Sequence, residues 1–211
     1  MRRSLFRLLI VVAVAGLLAP GCQVFRTEGS LRVVSINGGN ELRSDLSDFY
    51  VYFDRVDSEF VTLFQVPGDS VKVVLQYIEI GAGLPTTTPY VALIEKATVK
   101  FTSMIAADPA DKPPYQKVTV PLAVSVPADP SGKKLTTFWM TPTPASWKQL
   151  VFGEGGFINE DDPFALNTVD LAEAEFTFTG YDSVANRSVE AVATMQVEFG
   201  NFYDDETRFG K

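Results

Sequence analysis

Strict alternation of apolar and polar residues constrains the fold of this chain more than any other feature. Residues 172–179 alternate Ala or Phe with Glu or Thr, and residues 189–199 largely repeat the pattern. A period of two places every second side chain on the same face of a β-strand, so both segments predict strands with one buried face. The short polar segment 180–187 between them predicts a hairpin.

Other segments with the composition of β-strands are spaced along the chain between turns rich in Gly, Pro, Asn and Asp. Segment 71–80 is apolar on both faces, which predicts a central strand with a bulge near Tyr77. Pro121 cannot donate a hydrogen bond within a sheet, so segment 117–126 is predicted to lie at an edge. The polar segment 41–48 is predicted to be a loop. The remaining predicted strands are 31–36, 49–53, 60–66, 95–105 and 133–140.

Only one segment after the first 30 residues predicts a helix. Thr143 has the side chain of an N-cap and Pro144 would occupy the first helical position. Trp147, Leu150 and Val151 would then share one face. About eight strands with turn-rich connections and one short helix predict an all-β fold, an antiparallel β-sandwich.

The composition excludes several kinds of site. The chain has no histidine, which removes the commonest general base and transition-metal ligand. A single cysteine excludes intramolecular disulfides, zinc sites and iron–sulfur clusters. We therefore expect no cofactor. The net charge of −8 would be repelled by a phosphate backbone, so nucleic acid is not expected as a partner.

The first 22 residues have the organisation of an export signal. Arginines at positions 2, 3 and 7 precede an apolar run, Leu8–Leu18, which is too short to span a bilayer comfortably. The residues that follow resemble the bacterial lipoprotein signal, in which a small residue precedes an invariant cysteine. Gly21 and Cys22 match that signal, whereas Ala19 stands where leucine is usual and Pro20 is an uncommon neighbour.

The resemblance implies that residues 1–21 form a signal helix that is removed and that Cys22 carries lipid. The membrane would then be a partner through Cys22, since each buried CH₂ of an acyl chain contributes about 0.8 kcal/mol. Gln23 rather than Asp follows the cysteine, which by the same resemblance favours the outer membrane if the cell is Gram-negative, at its periplasmic face or the cell surface. An ordinary cleaved signal and an uncleaved anchor are the alternatives.

The predicted hairpin carries a second resemblance. Residues 180–189 echo the Gly-x-Asp…Ala-Gly-Asn-x-Val connection of bacterial immunoglobulin-like and fibronectin-III-like domains, with Asn186 where Gly is usual. The chain is also similar to a group of uncharacterised bacterial lipoproteins in its strands 31–37 and 197–202. These resemblances imply an immunoglobulin-like β-sandwich over 31–203, after a tether over 22–30 and before a disordered tail over 204–211.

Two groups of acidic residues are candidate calcium ligands. Asn159, Glu160, Asp161 and Asp162 are consecutive in a predicted loop, and carboxylate and amide oxygens are the ligands that Ca²⁺ prefers. Their spacing differs from that of an EF-hand, and solvated loop charge is the simpler interpretation. Asp182 and Asn186 in the hairpin are the other candidates, for which turn formation is the simpler explanation.

The sequence favours a binding or structural module over an enzyme. No Gly-x-Ser-x-Gly nucleophile elbow occurs. The interaction is expected to run through loop 81–89 or loop 153–168, with another envelope protein or a glycan as partner. A hydrolase that uses carboxylates on glycan or ester substrates is the alternative. Five aromatic residues could form a binding platform, although strand aromatics are more often core: Tyr50, Tyr52, Tyr90, Trp139 and Trp147.

Replacing Cys22 removes the only thiol to which lipid could be attached. We expect Cys22→Ala to yield a soluble or unprocessed protein, measured by membrane fractionation and by the intact mass of the purified chain. The Gln23→Ala variant keeps the thiol and should stay in the membrane fraction at mature size. Recovery of Cys22→Ala in the membrane fraction at mature size would contradict the lipid anchor.

Overall fold

A computed structural model of the chain describes residues 28–54, 56, 59–80, 90–105, 113–129, 131–153, 167–184 and 186–202. Most of these residues are in β-strands, which confirms the predicted all-β class. The predictions for the leader, Cys22, loop 81–89, the acidic residues 159–162 and the tail lie outside the described residues.

Ten strands occur in the described part of the chain, nine of them at the segments predicted above and one, β2, in a segment predicted to be a loop. They are β1 (Glu28–Ile36), β2 (Leu42–Asp45), β3 (Asp48–Asp54), β4 (Glu59–Gln65), β5 (Asp69–Ile80), β6 (Val91–Ser103), β7 (Val118–Pro127), β8 (Thr136–Thr143), β9 (Asn167–Asp182) and β10 (Arg187–Asn201). The helix α1 (Ala145–Lys148) is followed by a π-helical turn over Gln149–Gly153, and a 3-10 turn over Asn37–Gly39 follows β1. None of the described helices is both long and apolar enough to cross a bilayer.

The strands form two main sheets and one separate hairpin. The first sheet has the order β1-β5-β8, and the second has the order β2-β10-β9-β6-β7 and curls into a half-barrel. All strand pairs are antiparallel except β2 with β10, which are parallel. Strands β3 and β4 pair only with each other. The predicted central position of segment 71–80, the edge position of segment 117–126 and the closing hairpin are therefore confirmed.

The core lies between the inner faces of the two main sheets. Val71, Val73, Leu75 and Tyr77 of β5 are fully buried, as alternation predicts. Alternate residues of β9, from Ala172 to Phe178, are fully buried in the facing sheet. At one end of this core, an aromatic cluster closes the space between β6, β10 and α1. Its rings lie 4.7–6.2 Å apart and belong to Phe101, Tyr115, Trp147, Phe152 and Phe199.

Several local predictions were wrong. Segment 41–48 is not only a loop but contains β2, which is too short for a clear alternation. No register shift occurs at Tyr77; the shifts in the pairing of β5 lie between Val33 and Ser35 of β1 and between Asp69 and Val71. The helix begins one residue later than predicted, because Thr143 still belongs to β8 and Pro144 is the N-cap. Leu150 is exposed, so it does not share the buried face of Trp147 and Val151.

The two main sheets have two distinguishable ends. At the N-terminal end, β1 begins and Glu28 pairs with Ile80, the last residue of β5. The guanidinium of Arg187 there donates a hydrogen bond to the carbonyl oxygen of Gly29 at 2.9 Å. We call the opposite end the hairpin end, after the β3–β4 hairpin. This hairpin connects β2 of the second sheet to β5 of the first sheet. The backbone N–H of Leu46 there donates to the carbonyl oxygen of Gly200 at 2.9 Å.

A buried ion pair joins four elements at the hairpin end. The Nζ of Lys148, which is fully buried in α1, lies 2.7 Å from the Oδ2 of Asp69 in β5. The same carboxylate oxygen accepts hydrogen bonds from the hydroxyls of Ser44 and Thr143, at 2.7 and 2.8 Å. Lys148 also donates to the carbonyl oxygen of Asp45 at 2.5 Å. Strands β2, β5 and β8 and helix α1 are thereby held at a single carboxylate.

Replacing Lys148 by Met should destabilise the fold strongly, because the charge of Asp69 would lose its buried partner. We expect the free energy of unfolding in urea to fall by about 3–5 kcal/mol. The exposed Lys133→Met should change it by less than about 0.5 kcal/mol. Adding Asp69→Asn to Lys148→Met should restore part of the loss. Equal stability of Lys148→Met and Lys133→Met would contradict this role.

Candidate functional site

A cleft of about 860 Å³ opens at the side of the fold, between β1 and β10. We call it the side cleft. Its lining comes from residues 33–36 of β1, residues 39–41 at the end of the 3-10 turn and just after it, residues 193–196 of β10, and Glu173 of β9. A volume of this size is typical of sites that bind small molecules or short peptide segments.

The cleft exists because the chain leaves one sheet for the other at this point. The register shift in β1 leaves Val34 as an extra residue, and such a bulge bends a strand. Asn37, Gly38 and Gly39 then adopt left-handed φ values of 51°, 67° and 85°, which Asn and Gly tolerate best. After this crossing, β2 pairs only with Val197–Gly200 of β10. Residues 193–196 of β10 are left facing the cleft.

The mouth of the cleft is acidic. The Asn37 side-chain amide donates to the carbonyl oxygen of Glu41 at 2.9 Å, which fixes the backbone that carries this acid. The Nε of Arg43 lies 3.9 Å from Glu41 and 3.2 Å from Glu198, so two carboxylates share one cation. Glu173 is exposed and has no basic side chain within 4.0 Å among the described residues. The cleft can therefore attract positive charge.

Three acids that are buried or partly buried are bonded inside the protein. In addition to Asp69, Asp170 accepts hydrogen bonds from the hydroxyls of Ser103 and Tyr115, at 2.8 and 2.5 Å. Asp182 accepts a hydrogen bond from the hydroxyl of Tyr77 and another from the backbone N–H of Val184 at 2.9 Å. These acids tie strands together and do not belong to the lining of the side cleft.

Asp182, the calcium candidate, lies in the tight connection between β9 and β10. It is 1% exposed, and its two carboxylate oxygens accept the hydrogen bonds from Tyr77 and Val184. Asn186 has a left-handed φ of 48°, which explains why it can stand where the resembling domains have Gly. Gly180 passes so close to β6 that an added Cβ would lie 1.9 Å from the carbonyl oxygen of Leu93. Within the described residues, no three acidic or cysteine side chains are grouped to hold a metal.

The tyrosines that bond to these acids are hard to ionise. Burial, with the hydrogen bond to Asp182, raises the pKa of Tyr77 to about 12. Burial and the hydrogen bond to Asp170 likewise raise the pKa of Tyr115 above its usual range. In both cases ionisation would place a second negative charge beside a carboxylate. Both hydroxyls therefore act as hydrogen-bond donors at neutral pH.

The structure places the three described aromatic side chains of the candidate platform in different surroundings. Trp139 is 66% exposed on β8, whereas Trp147 is buried in the aromatic cluster. The indole N–H of Trp147 donates to the carbonyl oxygen of Gln116 at 2.8 Å, which satisfies it inside the fold. Tyr90 is partly buried against the core, and Tyr50 and Tyr52 belong to β3 of the separate hairpin.

Sequence reasoning missed two features. Nothing in the pattern of β1 or β10 indicates the side cleft, because the cleft depends on where the chain crosses between the sheets after β1.

The second feature is a pair of residues, Ser131 and Lys134, with the Ser-x-x-Lys spacing of some acyl-transferring enzymes. In the structure the Ser131 hydroxyl instead donates to the carboxylate of Asp129 at 2.7 Å. Hydrogen bonds from this hydroxyl and from the backbone N–H groups of Lys134, Lys133 and Ser131 lower the pKa of Asp129 to about 2.

Comparison with known proteins gives no relative. No family model matches the chain, no curated protein matches it, and no solved structure matches it. Function is therefore inferred from the residues of the chain itself.

The difference in stability between wild type and Tyr77→Phe should depend on pH, because folding raises the pKa of Tyr77. Because the pKa rises from 10 to about 12 on folding, the contribution of the hydroxyl is complete below pH 10 and is lost as the pH rises through 12. At neutral pH we expect Tyr77→Phe to lower the free energy of unfolding by about 1–3 kcal/mol, since Asp182 loses a donor. The difference from wild type should narrow between pH 10 and 12.

Urea unfolding at a series of pH values measures this difference. The control is Tyr181→Phe, which alters a partly exposed hydroxyl on β9 and should leave the pH profile unchanged. A constant difference between wild type and Tyr77→Phe over the whole range would contradict the assignment.

Proposed function

We propose that this protein is a lipid-anchored module of the cell envelope that binds a partner or serves a structural role without catalysis. The fold we propose for it is an immunoglobulin-like sandwich. Immunoglobulin-like domains place strands A, B and E in one sheet and strands C, F and G in the other. The observed order supports this fold if β1, β5 and β8 are A, B and E, and β6, β9 and β10 are C, F and G.

The lipid on Cys22 would orient the domain. Six peptide steps separate Cys22 from Glu28, so even a fully extended tether reaches only about 20 Å. The N-terminal end would then face the membrane and the hairpin end would face away from it. The strand ends that flank loop 81–89 lie at the N-terminal end. Gly153 and Asn167, which flank loop 153–168, lie at the hairpin end. This orientation favours loop 153–168 and the side cleft as interaction surfaces.

The side cleft is the observation that carries the binding role. It is open, acidic and lined partly by residues of β10, whereas the acids inside the fold are engaged in bonds that hold strands together. A binding module needs only such an exposed surface on a stable scaffold. The net charge of −8 and the acidic mouth favour an envelope protein with a basic surface over an anionic glycan.

Site-specific photo-crosslinking in the native envelope tests this function. A photoreactive residue at Thr194, in the cleft, should yield a reproducible protein partner by mass spectrometry. The same residue at Ser125, exposed on the opposite edge strand β7, is the matched control and should not capture that partner. Lack of any reproducible partner at Thr194 and at a second site in the cleft, Gln196, would contradict the binding module.

A hydrolase is the second candidate because two carboxylates, Glu41 and Glu173, line the same cleft. Paired carboxylates are the working groups of most glycosidases. Both are exposed, whereas a general acid is usually tuned by an apolar environment. Hydrolysis of envelope glycan or a model ester that is lost in both Glu173→Gln and Glu41→Gln would favour the enzyme over the module.

A further inference from the structure

We propose that the side cleft is a strand-acceptor site, in which an extended basic segment of a partner protein pairs with the free edge of β10. This inference rests on the proposed binding function and names the chemistry of the partner. The segment would carry basic residues on its outward face and apolar residues on its inward face.

The first support is an unpaired strand edge. Strand β9 pairs with β10 along its whole length, but on the other side β2 pairs only with Val197–Gly200. No described strand pairs with Ala193–Gln196 on that side, and these four residues line the cleft. Their edge extends over about 13 Å, and an incoming strand would satisfy its N–H and C=O groups.

The second support is the contrast with the opposite edge of the same sheet. Strand β7 carries Pro121 near its middle and follows Lys117, and both residue types discourage pairing with a foreign strand. The edge of β10 at the cleft has the sequence Ala-Thr-Met-Gln, with neither Pro nor a charge. Strand β1 lies nearby but is bent by its bulge at Val34, so it does not close the gap. This sheet protects one edge and leaves the part of the other edge that β2 does not cover open.

The third support is charge. Glu41 and Glu173 lie on the lining, and Arg43 is already shared between Glu41 and Glu198. A strand added to β10 would place alternate side chains beside Thr194 and Gln196, on the same outward face as Glu173. Lys or Arg at those positions could reach the acids. The intervening side chains would point towards Ile36 and Met195, so they should be apolar.

A second copy of this chain fits less well than a basic partner. Pairing two β10 edges would bring together two sets of the same acids, on chains that each carry a net charge of −8. Like charges directly opposite each other destabilise a strand pair. Self-association is therefore an outcome that the test must separate from binding of a basic segment.

Calorimetric titration of the full-length protein in detergent tests the proposal. The probe is a short capped peptide of alternating Lys and Val, and the matched control peptide has Glu in place of Lys. We expect saturable binding of the Lys peptide and none of the Glu peptide. A Lys-Val peptide with N-methylated backbone amides along its pairing edge should also fail to bind, because it cannot complete the strand pair.

Three variants locate the binding. Glu173→Lys should weaken binding of the Lys peptide at least about tenfold, and Thr194→Lys should abolish it by placing a charge on the open edge. Glu190→Lys makes the same charge change on the outward face of β10 outside the cleft, and should alter affinity by no more than about twofold. Thermal unfolding checks that each variant folds. Glu173 is exposed and does not belong to the open edge of β10, so Glu173→Lys alone tests the site if Thr194→Lys does not fold.

Several results would overturn the strand-acceptor site: no saturable binding of the Lys peptide, equal binding of the N-methylated peptide, or equal weakening by Glu190→Lys and Glu173→Lys. Concentration-dependent dimerisation that Thr194→Lys abolishes would assign the edge to a second copy instead. If the peptide fails while crosslinks at Thr194 persist in the envelope, only the strand-acceptor site falls. If those crosslinks and the ones at Gln196 are absent as well, the binding function itself falls.

Discussion

The buried contact between Lys148 and Asp69 is the interaction on which the hairpin end of this fold depends. A single carboxylate oxygen receives the ammonium group and the hydroxyls of Ser44 and Thr143, so one helix and three strands meet at one point. Charges are costly to bury unless they are paired and hydrogen-bonded, and this pair has both kinds of partner. The short strand β2 is held in the second sheet by this contact and by four residues of pairing with β10.

The N-terminal end is fastened by a different set of contacts. Tyr77 of one sheet donates to Asp182 of the other, and Arg187 reaches the backbone of Gly29. The two main sheets are thus joined at both ends, while the side between β1 and β10 stays open. The cleft lies between these two sets of contacts, where the chain crosses from the first sheet to the second after β1. A scaffold that is fixed at both ends can present an open strand edge without losing its register.

How far the sequence predicts this fold depends on the length of each element and on its pattern. Alternation identified β6, β7, β9 and β10, because each repeats the two-residue period over six or more residues. Strand β2 has only four residues and was interpreted as a loop. Lys148 was not singled out, since a lysine in a short helix is usually solvated and nothing local shows that Asp69 lies across from it. Of the candidate calcium ligands, Asp182 and Asn186 are described. The side chain of Asp182 is buried where it accepts a hydrogen bond from Tyr77, a residue 105 positions away in the chain.

The sequence by itself determined the all-β class, the closing hairpin, the central position of β5 and the edge position of β7. These are consequences of side-chain period and backbone chemistry, which act over a few residues. The tertiary structure alone decided where β1 leaves its sheet, which acids meet which hydroxyls, and where the edge of β10 is left open. Those features depend on contacts between residues far apart in the chain. A local sequence pattern does not indicate which distant strand will pack against a given segment.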